Sequence, residues 1–109
     1  GDLARARIPL AASSDDPFAF HEPVRTSAHG ATRRTGSGNI FAAEQALGYV
    51  DWLRAYTSGA AYAGGQEYER GTLTPGKRAD LVVLEGDLDP HHPPHVAQTW
   101  VGGELVYPA

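Results

Sequence analysis

The chain has 109 residues, of which 41% are hydrophobic and 20% charged, and a formal net charge of −4. That length supports one modest core, and the acidic balance argues against nucleic acid and membrane surfaces as partners. Cysteine is absent, which excludes disulfides, thiolate metal sites and a cysteine nucleophile and fits a cytoplasmic location. Methionine is absent too, so a chain opening Gly1-Asp2 reads as processed or cut from a longer product. Asp2, Arg5 and Arg7 with no h-region after them do not read as a signal peptide.

In chain order, Ile8-Pro9-Leu10-Ala11-Ala12 is a short apolar run ending in the turn cluster Ser13-Ser14-Asp15-Asp16-Pro17. Its length and near-continuous apolar character predict a buried strand of the parallel kind. Phe18 to Gly38 reads as loop, with a turn of helix over 28–34, and Ile40 to Leu47 has weak helical character. The strongest helix signal runs from Asp51 to Ala63. Asp51 is placed to cap it, Leu53, Tyr56, Ala60 and Ala63 share one face, and Gly64-Gly65 ends it. Gly59 reads as a weak point in its middle.

After the turn Gly71-Thr72-Leu73-Thr74-Pro75-Gly76, strands are predicted over 79–84, 97–101 and 104–107. Gly102-Gly103 between the last two is a two-residue hairpin signal. A three-stranded sheet of this size is marginal alone. The first half offers its single strand no partner.

Several groups carry chemistry. The cluster Ser13-Ser14-Asp15-Asp16-Pro17 puts a carboxylate where a strand meets a turn, the place where barrel enzymes keep their chemistry, or else its Ser and Asp residues cap the turn before Pro17. His21, Glu22 and His29 would complete a metal site or a Ser-His-Asp set, but they show neither the i, i+4 spacing of helical ligands nor an H-x-H pair, and the histidines read as surface residues. His91-His92-Pro93-Pro94-His95 gathers three imidazoles, but the prolines impose an extended backbone that splays them. Arg25, Arg33 and Arg34 form a basic patch suited to a phosphate or a carboxylate, or a solvated loop. Trp52, Tyr56 and Tyr62 read as core and rim residues. Asp80 reads as structural, satisfied by backbone N–H groups of the turn before it.

Taken together, these pieces resemble the C-terminal end of the amidohydrolase superfamily, in the amidohydrolase-3-like and imidazolonepropionase-like branch. Residues 8–17 resemble the last barrel strand with its S-D-x-P turn, and Ala31-Thr32-Arg33-Arg34 the segment after it. Residues 53–63 resemble the A-L-x-x-x-T-x-x-A-A helix, and 71–84 the G-x-L-x-P-G-K-x-A-D-L-V-V-L entry to the small β-domain. Residues 101–107 resemble the closing V-x-G-x-x-V-Y hairpin.

The resemblance implies an α/β parent. Residues 1–66 would be the end of a (β/α)8 barrel, namely its last strand, a loop and helices. Residues 67–109 would be the C-terminal strands of a small composite β-sandwich domain. It further implies metal-dependent hydrolysis of carbon–nitrogen bonds other than peptides, in amides or cyclic amides of a small-molecule substrate.

By the same resemblance Asp15 is both a metal ligand and the catalytic carboxylate that shuttles the proton of the attacking water. The metal is divalent, zinc in the usual case, and its remaining ligands would precede this sequence. A single carboxylate does not hold zinc, so the isolated chain is expected to bind none and to be inactive. A homo-oligomer is compatible with the pattern. The competing reading is a non-catalytic stand-alone module for binding or oligomerisation.

Overall fold

A computed structural model describes residues 1–18 and 22–108. A short helix α1 (Asp2–Arg5) opens the chain, followed by an extended segment, and α2 spans Pro23–Thr32. A helical turn at Ala43–Gln45 leads to α3 (Tyr49–Arg54), which runs through a π turn (Ala55–Gly59) into α4 (Ala60–Ala63). Strands β1 (Leu81–Glu85), β2 (His95–Val101) and β3 (Glu104–Tyr107) then form an antiparallel sheet in that order. No helix among the described residues is long and apolar enough to cross a membrane.

The hairpin forms as its sequence requires. Gly102 and Gly103 take φ values of 60° and 86°, the left-handed pair of a two-residue turn, and set Val101 opposite Glu104. Asp80 tightens this corner from 22 residues away. Its carboxylate accepts the Gly102 N–H at 2.7 Å and lies within 3.6 Å of the Arg78 and Arg70 guanidiniums. The donor is therefore the hairpin itself rather than the turn preceding Asp80. That N–H, and then the two arginines, hold the Asp80 carboxyl below the usual carboxylate range.

The core is small. Val24 and Ala28 on α2 meet Tyr49 on α3, with Ala31, Leu53, Leu84 and Val96 packed around them, so the sheet joins the helices through β1 and β2. The Tyr49 hydroxyl donates to the Val24 carbonyl at 3.0 Å inside this contact, and burial raises its pKa.

Three expectations are corrected here. Residues 8–12 form no strand, because no neighbouring strand meets them, and Ile8 is 49% exposed. Helix α2 spans ten residues, not one turn, because Pro23 at its first position is already shaped for a helix and ends the loop early. Helix α3 starts at Tyr49 with Gly48 before it, so Asp51 lies inside the first turn, where it pairs with Arg54 at 2.9 Å. The buried residues along 49–63 are then Tyr49, Ala55 and Ala61, since the wider π turn rotates the face predicted for a regular helix.

Much apolar surface stays in contact with solvent. Total accessible area is 7705 Å², about a third more than a free-standing domain of this mass shows. The radius of gyration is 14.6 Å, against about 13 Å for a compact chain of this length. Phe18, Tyr68 and Leu73 are at least 80% exposed, and Val82, Val83, Leu105 and Val106 face outward from the sheet.

Candidate functional site

The segment leading to Asp15 is laid across the π turn and held by it at three points. The Ala12 N–H donates to the Ala55 carbonyl at 3.0 Å. The Tyr56 hydroxyl donates to the Ser13 carbonyl at 3.3 Å. Between these residues and the helix the backbones nearly touch at Gly59, where any Cβ would overlap the Leu10 carbonyl oxygen. Gly59 is thus required for a close approach, whereas the sequence read it as a weakness. The Ala55 carbonyl that accepts Ala12 opens the π turn, and local side chains cover neighbouring acceptors: Thr57 Oγ1 donates to Leu53 O at 2.9 Å and Ser58 Oγ to Arg54 O at 3.3 Å. The Thr57-Ser58-Gly59 run was the one available signal for this feature.

Beyond the contact the chain turns sharply. Asp15 lies in the left-handed region at φ 54°, and its carbonyl accepts the Phe18 N–H at 2.9 Å. Its carboxylate is exposed and makes no hydrogen bond or ion pair with the described residues. It therefore does not cap the turn through its side chain. Asp16 is also exposed and does have a partner.

The other candidates scatter. His21 lies outside the described residues. His92 pairs with Asp89 and His95 with Glu85, both at 3.1 Å, so the prolines do splay this run. Arg33 donates to the Phe41 carbonyl at 3.0 Å, lies over its ring, and lines a neighbouring cleft with Arg34, His29 and Trp52. Trp52 and Tyr56 are half-buried and Tyr62 is exposed, in keeping with rim and core roles. His29 and Arg25 on α2, Arg34 just after it and His91 across from them line one cleft.

The sequence model of the amidohydrolase family matches residues 1–107. The chain belongs to the amidohydrolase family. An N-substituted formamide deformylase from Arthrobacter pascens is 34% identical over 84 residues, which are 77% of this chain and 15% of that enzyme. The chain thus spans about a seventh of the length of the curated relative it matches. No solved structure matches it.

Members of this family are in general metal-dependent. Among the described residues no three His, Asp or Glu side chains gather closely enough to hold an ion. A catalytic zinc takes about three protein ligands, so the described residues do not by themselves fit the metal, and Asp15 is the one acid standing free beside the mapped turn.

Proposed function

We propose that this chain is the terminal part of a hydrolase acting on non-peptide carbon–nitrogen bonds, and that Asp15 is its contribution to the reaction. The single observation that carries the reading is the family match over residues 1–107, within which Ser14-Asp15-Asp16-Pro17 resembles, by its own sequence, an S-D-x-P turn. The free, exposed carboxylate at the end of a segment fixed to the π turn supports it.

In this reading Asp15 takes a proton at a carboxylate oxygen as water adds to the carbonyl carbon of the substrate. It returns that proton to the departing nitrogen as the C–N bond breaks. The remaining members of the donor set, including the divalent metal's other ligands, belong to parts of a longer protein outside residues 1–109. Residues 1–66 then complete a (β/α)8 barrel, with 8–12 becoming a true strand only when flanked by its neighbour. Residues 67–109 complete the small β-domain. The surplus of exposed apolar surface supports this arrangement and weighs against a stand-alone module. N-substituted formamides, named for the bacterial relative, are the first substrate class to test.

The test is Asp15→Asn in the polypeptide encoded by the whole reading frame, assayed on N-substituted formamides and cyclic amides. Loss of a positioned acid–base group should lower kcat by about a hundredfold or more, while Asp16→Asn keeps most of the activity. An Asp15→Asn enzyme with more than half its activity would overturn the assignment.

A further inference from the structure

The basic patch seen in the sequence divides in the structure, and one part of it lines a cleft of about 320 Å³ between α2 and the loop that precedes β2. Arg25 and His29 come from α2, Arg34 follows its last turn, and His91 with Pro90 and Pro93 forms the opposite wall. No carboxylate lines the cleft. In a chain of net charge −4 this is a local inversion of sign.

We propose that this cleft binds a small phosphate-type dianion. The four cationic or N–H-bearing side chains come from two separate stretches, so a ligand between them is gripped from both walls. The imidazoles of His29 and His91 have no hydrogen-bond partner among the described residues, which leaves a ring nitrogen of each free to donate. Arg34 spends one nitrogen, Nη1, on the Gly38 carbonyl at 3.1 Å, which anchors the guanidinium and leaves its other N–H groups for a ligand. Guanidinium N–H pairs match phosphate oxygens in a two-point contact, and such charge-assisted bonds are the stronger ones.

The neighbouring acids do not occupy the cleft. Glu22 stands 3.6 Å from Arg25 as an exposed, loose pair, and Asp89 is turned to the His91 backbone N–H and the His92 ring. The Thr32 hydroxyl also borders the cleft but donates to the Ala28 carbonyl at 2.9 Å, so it serves only as wall. Arg33 does not line this cleft; it lines the adjacent one, on the Phe41 and Trp52 side of His29 and Arg34.

Titration of the intact protein with inorganic phosphate, followed through the imidazole proton resonances of His29 and His91, tests this. Both resonances should shift together and saturate at millimolar phosphate. Arg25→Ala should weaken binding about tenfold, and His91→Ala, on the facing loop, at least about threefold. Arg33→Ala removes the same charge outside the cleft and should change it less than about twofold. Succinate as a second titrant distinguishes a phosphate site from a general dianion site, and equal affinity would overturn the phosphate assignment. Unsaturated or separate shifts of the two imidazoles, or equal weakening by Arg33→Ala and Arg25→Ala, would overturn the site. Should Arg25→Ala disturb α2, the His91→Ala result decides alone. Because Asp15 takes no part, failure here leaves the hydrolase reading untouched.

Discussion

In the β1–β3 sheet the decisive contacts, between strand partners and from Asp80 to Gly102, span at most 22 residues, whereas the segment before Asp15 is fixed by contacts more than forty residues away. Val101 faces Glu104 across a two-glycine turn, and the Gly102 N–H reaches Asp80 at a separation of 22. Ser13 finds Tyr56 at a separation of 43, and Ala12 finds Ala55 at the same distance. Local turn chemistry specifies the first arrangement almost by itself. The second depends on a helix that widens into a π turn at the correct point and on a residue there without a Cβ. The sheet is therefore the robust region, and the region carrying the candidate carboxylate is the one a single methyl group should disturb.

The sharpest way to break this contrast is Gly59→Ala. The added Cβ meets backbone rather than a flexible side chain, so the two segments must separate. We expect a loss of about 2–3 kcal/mol in urea unfolding, in the range of overpacked sites, together with faster hydrogen exchange at the Ala12 amide. In the sheet, Gly103→Ala forces a side chain into the left-handed region at φ 86°. Its cost is about 1–2 kcal/mol, without any change at Ala12.

Tyr49→Phe probes the core shared by both regions. It removes the donor to the Val24 carbonyl and should cost about 1 kcal/mol, measured by the same unfolding midpoint.

The smallest effect is acidic. The Asp80 carboxyl is held below its ordinary value by the Gly102 N–H and the two arginines. Its contribution to stability is complete above the unfolded value of about 3.9. That contribution is lost as pH falls through the depressed folded value. Asp80→Asn should therefore flatten the acid limb of the stability curve below about pH 5 and leave the alkaline limb unchanged. An unaltered acid limb would show that the corner does not depend on this charge.

The two regions also differ in how far the sequence discloses them. The hairpin was legible because Gly102-Gly103 between two strand-forming runs admits few backbone solutions. The end of the helix at Gly64-Gly65 was legible for a similar reason. The strand expected over 8–12 did not form because a strand is defined by its neighbour, and no periodicity within five residues reveals whether a neighbour exists. The start of α2 was obscured by Pro23, which reads as a breaker in mid-run but as a good first residue of a helix.

At the proposed site, Asp15 is singled out by its S-D-x-P context and not by spacing. The scattering of the histidines followed from the prolines among them. The sequence shows Arg25 and Arg34 as one basic patch, but it does not show His29 and His91 joining them, because the first needs the α2 face and the second a loop nearly sixty residues further on.

The central claim is that Asp15 is chemically competent only in company with groups outside residues 1–109. The most direct measurement is turnover of an N-substituted formamide by the purified 109-residue chain in saturating zinc, beside the polypeptide of the whole reading frame. Hydrolysis by the long polypeptide and none above background by the short chain is the expected result. Sustained, zinc-dependent turnover by the short chain, abolished by Asp15→Asn, would contradict it.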